Sequence, residues 1–415
     1  MINSKKIYLE KSQVLDSKNV RLESALENPI YEQYIISGWQ RFYIHTKLKL
    51  TLVHIAINAY RNPIDWVRAS LYLVKLRRRF LGDFRLRKMV KAGKKYYMGL
   101  YIPGWNSMVY RDFIRSELTQ FKPIKKKINR FNMVIIAITK KCALQCDHCF
   151  EWDNLNKKDT LTPAKIIDIV ETIQDKGVSQ IQFSGGEPLL KMDTLINVLD
   201  KADKKITDFW VDTSGFKLTS YNAQKLKNAG LTGVIISLDH FIPDKHNIFR
   251  GFEDAYIWVE QAVKNSISNG LVTALSLCVT KDFISKGNLM QYMDLAKTLK
   301  VSFVQLLEPK AVGHFAGKDV ALNQDQIQLL EEFLLMMNFD PKYKSYPLIT
   351  YHGFYQRRQG CFSAGNKSMY IDTDGDMNPC PFCHKKTGNV LDDSFEHNLE
   401  VLKSSGCESF KINAN

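Results

Sequence analysis

Three cysteines lie close together in the segment KCALQCDHCF, at Cys142, Cys146 and Cys149. Thiolates bind soft centres such as zinc, copper(I) and iron–sulfur clusters. A structural zinc site needs four ligands, usually two pairs, whereas these thiols share one tight loop without a fourth cysteine nearby. The spacing favours a [4Fe–4S] cube that keeps one iron open for a substrate or cofactor. A zinc site completed by His148 is the alternative.

The other cysteines are spread more widely along the chain. Cys361, Cys380 and Cys383 fall within a loop-rich stretch after residue 348, and Cys407 follows them. The letters DTDG between apolar residues of this stretch predict a hairpin turn. Cys278 stands in the apolar run LSLCVT and is expected to be a buried structural thiol.

From about residue 132 the chain alternates between strand-like and helix-like segments. The strand-like runs are MVIIAIT, SQIQFSG, DFWVDTSG, GVIISLD, LVTALSLCVT and VSFVQLLEP, and a helical pattern follows each of them. Units of about thirty residues are typical of parallel strands joined by crossover helices. The pattern predicts an α/β fold with a partial (β/α)6 barrel over residues 131–340. An open doubly wound sheet is the alternative, because periodicity alone does not separate the two.

The segments with chemical potential all follow strands of this pattern. KKCALQCDHC follows the first strand, GGEP the second and TSG the third, and SLD ends the fourth. Functional groups of such folds gather at the carboxyl ends of the strands. We therefore expect these segments to meet at one rim.

The composition describes an ordinary globular protein, with 45% hydrophobic and 24% charged residues. No apolar run at the start suits a secretory signal, and the most apolar stretch, TLVHIAINAY, is too short to cross a bilayer. We therefore expect a cytoplasmic, reducing location. There, clustered cysteines bind metals or do redox chemistry more often than they form disulfides.

The net charge of +15 is concentrated at the start of the chain. Residues 1–130 hold 27 Lys and Arg against 9 Asp and Glu. Their pattern indicates a mostly helical region without one clean polar face, followed by an aromatic strand or hairpin at KYYMGLYIPGW. The excess charge suggests an anionic partner, and a solvated basic face is the simpler alternative.

CALQCDHC resembles the Cys-x3-Cys-x2-Cys signature of the radical S-adenosylmethionine (radical SAM) enzymes. The resemblance continues through FSGGEPLL one unit later and SLD…HNIFRG two units after that, and it spans residues 132–340. It implies that Cys142, Cys146 and Cys149 hold a [4Fe–4S] cluster whose open iron binds S-adenosylmethionine. Reductive cleavage would then give a 5′-deoxyadenosyl radical that abstracts hydrogen from a substrate.

The same resemblance implies the residues that hold S-adenosylmethionine. Gly185, Gly186 and Glu187 would lie against the methionyl amino group. Ser237 and Arg250 would hold the methionyl carboxylate or the ribose. Asp239, Thr213 and Ser214 are further candidates, for which a role as turn or capping residues is the alternative.

Residues 341–415 resemble the first half of the SPASM/twitch extension of these enzymes, whose cysteines bind auxiliary iron–sulfur clusters. One auxiliary [4Fe–4S] cluster fits Cys361, Cys380, Cys383 and Cys407. The alternative is a zinc knuckle that uses His384 in place of Cys407. The resemblance as a whole implies an enzyme of oxidoreductase or transferase type, with flavodoxin or ferredoxin as electron donor.

The substrate is less constrained by the sequence. The C-terminal cysteines favour oxidative modification of a peptide or protein side chain. The basic, aromatic N-terminal region supports the alternative, a lipid or other membrane-associated metabolite modified at the inner face of the membrane. Nucleic acid is disfavoured as a partner because no RNA-binding motif is found. A purely electron-transferring protein is disfavoured because it needs no pocket for S-adenosylmethionine.

Overall fold

The computed structural model describes residues 33–125, 129–361, 363–406 and 410. The first described stretch forms a small unit with a sheet of order β1–β2–β3, antiparallel throughout. Its elements are β1 (Gln33–Ser37), α1 (Gly38–Ala59), α2 (Pro63–Leu81), β2 (Lys88–Ala92), β3 (Lys95–Tyr97) and α3 (Met108–Thr119). Tyr96 and Trp105 pair as a further antiparallel bridge. The expected helices and the aromatic hairpin are therefore both present.

The strands and helices of the predicted repeat follow in chain order. The strands are β4 (Phe131–Ala137), β5 (Val178–Ser184), β6 (Asp208–Thr213), β7 (Gly233–Ser237), β8 (Val272–Cys278) and β9 (Phe303–Leu307). The helices are α4 (Pro163–Lys176), α5 (Met192–Lys201), α6 (Ser220–Asn228), α7 (Pro243–Arg250), α8 (Ala255–Ser268), α9 (Lys286–Thr298) and α10 (Gln324–Phe339). The short helix α7, which carries HNIFR, was not predicted.

Local signals set the helix ends as expected. The hydroxyl of Thr162 accepts the amide of Lys165 at the start of α4, and Pro163 is the first helical residue. Gly177 ends the helix with a φ of 87°, which favours glycine. Among the described residues, no helix combines the length and the apolar character that crossing a bilayer requires.

Within the described ranges, three further strands extend the sheet at its two edges, and two further helices accompany them. They are β10 (Leu348–Tyr351), α11 (His352–Gln359), β11 (Ser368–Ile371), β12 (Met377–Asn378) and α12 (Phe395–Ser405). β10 pairs in parallel with β9, and β11 pairs in parallel with β4. β11 and β12 form an antiparallel hairpin across the DTDG turn, as predicted, with Gly375 at a φ of 86°.

The strand order separates the two folds that the sequence left open. Among the described strands it runs β10-β9-β8-β7-β6-β5-β4-β11-β12, so β4 to β10 follow chain order without a reversal. A doubly wound sheet reverses its order at a switch point. The partial barrel is therefore confirmed, and the doubly wound alternative is wrong.

One side chain shows how strongly the sheet curls. The side chain of Tyr101 lies beside that of Gln182 of β5. Its ring centroid is also 4.6 Å from that of His352, which directly follows β10. β5 and β10 are far apart in the sheet order. One tyrosine reaches both because the sheet wraps around it.

The first unit closes the barrel at the amino ends of the strands. Val90, Tyr97 and Leu100 pack into one cluster with side chains from the starts or middles of β6 to β10. Those side chains are Trp210, Ile235, Val272, Ala274, Phe303 and Leu348. An ion pair of 2.9 Å between Lys95 and Asp208 adds to this contact. The first unit therefore covers the amino ends of β6 to β10.

Candidate active site at the cysteine loop

The loop after β4 carries three cysteines to the carboxyl end of the barrel. Cys146 is buried, and Cys142 and Cys149 are half-buried. The amide of Leu144 donates to Cys142 Sγ over 3.4 Å. The guanidinium Nη1 of Arg250 donates to Cys146 Sγ over 3.5 Å. Donors aimed at sulfur stabilise the negative charge of a ligating thiolate.

The surroundings of the thiols fit an iron–sulfur cluster. Burial raises the pKa of Cys149 to about 12, and it also raises the pKa of Cys142 and Cys146. Such thiols give up their protons when a positively charged centre binds them. Leu144, Ala255, Phe252 and Trp258 build an apolar wall around the loop. Soft ligands, directed donors and an apolar shell are the means by which proteins hold such clusters.

Two residues that sequence analysis missed hold the loop in shape. Asp159 accepts the amide of Lys140 over 2.7 Å and the hydroxyl of Thr139 over 3.1 Å. Asn156 Oδ1 accepts the amide of Cys142 over 3.0 Å. Polar residues in a loop look alike in sequence, so no local signal could have found this pair.

The GGE segment packs directly on the cysteine loop. The amide of Gly186 donates to the carbonyl of Thr139, and that of Glu187 to the carbonyl of Lys141, both over 2.7 Å. A Cβ at Gly186 would lie 2.2 Å from the Lys141 oxygen. Only glycine permits this approach. Two of the segments that sequence analysis placed at one rim are therefore in contact.

Glu187 is buried and links the carboxyl end of β5 to that of β6. Its carboxylate accepts the amide of Ser214 over 2.9 Å, the Ser214 hydroxyl over 2.6 Å and the Thr213 hydroxyl over 2.8 Å. The amide of Leu189 adds a fourth bond of 3.1 Å. A carboxylate offers about four acceptor positions, so the chain's own donors fill them. Burial raises the pKa of Glu187 against the opposing effect of these bonds.

Arg250 and Asp239 form a buried ion pair beside Cys146. Arg250 Nη2 lies 2.5 Å from Asp239 Oδ2. Burial alone would raise the pKa of Asp239, but Arg250 holds it below its ordinary value. Asp239 Oδ1 accepts the amide of Cys278 over 2.9 Å, and the Asp239 amide donates to His246 Nδ1 over 3.1 Å. The pair thus fixes the guanidinium that faces the sulfur.

Ser237 ends β7 on the lumen side. Its neighbours Val234 and Ile236 pack into the cluster under the helices, whereas Ile235 packs into the lumen cluster. Alternation along a strand therefore directs Ser237 inward. The predicted contacts of Ser237 and Arg250 with S-adenosylmethionine, and that of Gly185–Glu187 with its amino group, stay predictions.

Below this rim lies a cluster of polar side chains that sequence analysis did not single out. Tyr101, Gln182, Asp212 and His352 form it, and the Oδ1 of Asp212 and the Nε2 of Gln182 are buried without a hydrogen-bond partner. Burial raises the pKa of Asp212 to about 7 and lowers that of His352 to about 4. Unpaired buried polar groups cost about 1–3 kcal/mol each, which a bound ligand can recover. The sequence could have indicated this cluster through Asp212, a carboxylate near the end of the apolar strand DFWVDT.

Cys380 and Cys383 of the second cysteine group follow β12, in the part of the sheet that extends beyond β4. Cys380 and Cys383 form a tight turn in which the Cys383 amide donates to the Cys380 carbonyl over 3.1 Å. Cys361 follows α11, with the Gln356 amide 3.9 Å from its sulfur. His384 contacts the Pro381 carbonyl over 2.7 Å. The predicted fourth ligand, Cys407, lies outside the described residues.

Two family models match the chain. The model of the radical SAM superfamily matches residues 136–292, and that of the SPASM iron–sulfur cluster-binding domain matches residues 361–415. The matches confirm the resemblances and the predicted cofactors, a [4Fe–4S] cluster with S-adenosylmethionine and an auxiliary iron–sulfur cluster. The zinc alternatives with His148 and His384 are set aside.

The chain shares moderate sequence identity with two proteins named GTP 3′,8-cyclase. A probable GTP 3′,8-cyclase of Methanocaldococcus jannaschii is 36% identical over 146 residues, which are 35% of this chain and 46% of that protein. The GTP 3′,8-cyclase of Alkaliphilus oremlandii is 28% identical over 267 residues, 60% of this chain and 81% of that protein.

Two solved structures share the fold. SuiB of Streptococcus suis bound to the precursor peptide SuiA has a TM-score of 0.56 at 16% identity, over 73% of this chain and 72% of that one. The anSMEcpe structure with bound AdoMet and the Cp18Cys peptide has a TM-score of 0.54 at 16% identity, over 68% and 84%.

Proposed function

The chain carries a radical SAM domain followed by an iron–sulfur cluster-binding SPASM domain, and from this premise we propose that it oxidatively modifies a substrate by hydrogen abstraction inside the barrel. The cluster and S-adenosylmethionine, when bound, supply the electron and the 5′-deoxyadenosyl radical. The task of this chain is to hold them, to orient the substrate and to keep water away. A flavodoxin or a ferredoxin is the proposed electron donor.

One observation carries this proposal. The cysteine loop, the GGE turn and Arg250 are joined by direct contacts at the carboxyl mouth of the barrel. The polar cluster with the unpaired Asp212 Oδ1 and Gln182 Nε2 lies below them in the barrel. Asp212 and Ser214 are two residues apart on one strand end, so about 7 Å separates their levels. A substrate group bound at Asp212 would thus lie next to the reacting centre.

The residues divide into three proposed roles. Cys142, Cys146 and Cys149 hold the cluster. Gly185–Glu187 with Ser214, and Ser237 with Arg250, shape the pocket for the methionyl and ribose groups. The Glu187 carboxylate already accepts bonds from Ser214 and Thr213, so its proposed part is to fix this pocket.

A peptide or protein side chain is the first substrate class that we propose. Two solved structures of the same fold contain peptides, and both proteins cover most of this chain. The closed floor leaves the carboxyl mouth as the route of entry, which suits a side chain inserted from a larger substrate. The relatives named GTP 3′,8-cyclase make GTP a necessary comparison in the test.

A lipid or another membrane-associated metabolite is the second class. It is favoured by the two helices of the first unit that present apolar side chains to solvent. Such a surface would bring the barrel to the molecules of a membrane.

The test measures 5′-deoxyadenosine formed by the reconstituted protein under dithionite without oxygen. A peptide fraction, a lipid extract and GTP are supplied separately. Cys146→Ala is expected to abolish the product, whereas Cys278→Ala, in which the lost thiol lies in β8, keeps it. A rise with the peptide fraction supports the first class, and a rise with lipid or with GTP replaces it. No product from the parent protein under any condition would overturn radical SAM catalysis.

A further inference from the structure

Helices α1 and α2 expose an unusual amount of apolar surface. Of the eighteen exposed large hydrophobic side chains found in the described residues, ten lie between residues 38 and 81. They are Trp39, Phe42, Tyr43, Leu50, Val53, Ile57, Ile64, Val67, Leu71 and Val74, with Trp39 at 86% exposure. We call this set the apolar face. A patch of this kind on a folded unit marks an interaction surface.

The apolar face is continuous along each helix. On α1 its members recur at residues 39, 42, 43, 50, 53 and 57, which fall within about 100° of one another around the axis. The buried residues Ile44, Leu48 and Ile55 lie on the opposite side, against the core of the unit. Residues 64, 67, 71 and 74 repeat this arrangement on α2, opposite the buried Ala69 and Leu73. Both faces therefore point away from the same core.

This geometry divides the aromatic residues of α1 and α2 into a packed group and an exposed group. Trp66 and Tyr72 pack partly buried against the core of the unit. Trp39, Phe42 and Tyr43 are exposed at the start of α1. The sequence showed no single polar face in this region because the solvent-facing side of both helices carries apolar residues.

The charges around the apolar face are almost all positive. Residues 38–81 contain nine Lys and Arg against the single acid Asp65. Asp65 is buried and paired with Lys122, which removes its charge from the surface. Lys47 and Lys49 are exposed and flank the apolar stripe of α1 on its two sides. Long basic side chains beside an apolar stripe can reach phosphate groups while the stripe enters the acyl layer.

We propose that α1 and α2 lie flat on an anionic lipid bilayer, with the apolar face inserted and the basic residues on lipid headgroups. A soluble partner needs no such ring of cations, whereas each Lys or Arg near an anionic surface adds to the attraction between protein and bilayer. The proposal goes beyond the radical chemistry and does not rest on it, because the binding requires neither cluster nor substrate.

The full chain is tested by co-sedimentation with vesicles, since the first unit also forms the floor of the barrel. Phosphatidylcholine vesicles containing phosphatidylglycerol are compared with pure phosphatidylcholine vesicles, at low and at high salt. The variant Leu50→Glu/Leu71→Glu changes two exposed positions of the face. The matched control Ile257→Glu/Val401→Glu changes two exposed apolar positions on α8 and α12. Thermal unfolding verifies that each variant is folded.

Parent and control are expected to pellet with the anionic vesicles and to be released by salt. The face variant is expected to bind at least about tenfold more weakly. Failure of the parent protein to pellet, or equal binding of the face variant, would overturn the proposal. If the parent protein were an oligomer in solution and the face variant a monomer, the apolar face would instead be an interface with a second copy of the chain. None of these outcomes depends on 5′-deoxyadenosine formation.

Discussion

The ring of Phe150 lies edge-on to the ring of Phe382, with 5.9 Å between their centroids. Phe150 directly follows Cys149, and Phe382 stands between Cys380 and Cys383. The two cysteine groups, far apart in the chain, are therefore joined through the ring of Phe150. Phe150 also meets Tyr370 of β11 edge-on at 5.9 Å, which fixes the hairpin to the same point.

Phe150→Ala is expected to loosen the second cysteine group. Loss of the ring contacts should lower the free energy of unfolding by about 1–3 kcal/mol. It should also speed the loss of cluster absorbance in air, because water gains access between the two groups. Phe84→Ala, which removes a stacked pair with Phe339, is the control and should leave that rate unchanged. An unaltered rate in Phe150→Ala would mean that the contact does not protect the clusters.

Gly186→Ala is expected to separate the GGE turn from the cysteine loop. The added Cβ meets the Lys141 carbonyl at 2.2 Å, and overpacking of this kind costs about 1–3 kcal/mol. This displacement should also lower the amount of iron bound per chain after reconstitution. Gly287→Ala in α9 is the matched control, since its nearest atom is the Ser285 hydroxyl at 4.0 Å. Full iron content in Gly186→Ala would show that the loop tolerates displacement.

Arg250→Ala is expected to destabilise the protein by about 3–5 kcal/mol, because it leaves the buried Asp239 without its partner. The double variant Arg250→Ala/Asp239→Asn should recover part of that loss. Urea unfolding of Arg250→Ala, Asp239→Asn and the double variant measures the coupling. Arg130→Ala, which breaks an exposed pair with Glu396, should cost no more than about 1 kcal/mol. Additive single effects would show that Arg250 and Asp239 act independently.

Asp212→Asn is expected to change how stability depends on pH. Burial raises the pKa of Asp212 to about 7, so the folded chain keeps a proton that the unfolded chain releases above about pH 4. The free energy of unfolding of the parent therefore falls as pH rises from about 4 to about 7, by up to about 1.4 kcal/mol per pH unit from this group.

The variant lacks this loss, so its advantage over the parent should grow with pH and level off above about pH 7. The buried His352, whose pKa is lowered to about 4, changes stability in the opposite direction in both proteins and cancels in the difference. Urea unfolding at a series of pH values measures this difference in unfolding free energy. Asp200→Asn, at an exposed position, is the control. A pH-independent difference would mean that the pKa of Asp212 is the same in the folded and in the unfolded chain.

The sequence by itself determined the chemistry and the frame that holds it. The spacing of Cys142, Cys146 and Cys149 identified the cluster loop, because ligand spacing within one loop is a local property. The alternation of strand and helix predicted the barrel, since hydrophobic periodicity is also local. Chain order then placed GGE and SLD at the same rim, because the carboxyl ends of parallel strands lie together.

The tertiary structure decided everything that depends on contacts between distant segments. Glu187 with Ser214, Arg250 with Cys146, and Phe150 with Phe382 are pairs that no spacing reveals. Tyr101 lies in the lumen because the sheet curls around it, and that curvature arises only when the strands pair. The solvent-facing apolar residues of α1 and α2 look like core residues in sequence, because a periodic pattern gives the faces of a helix but not which face another segment covers.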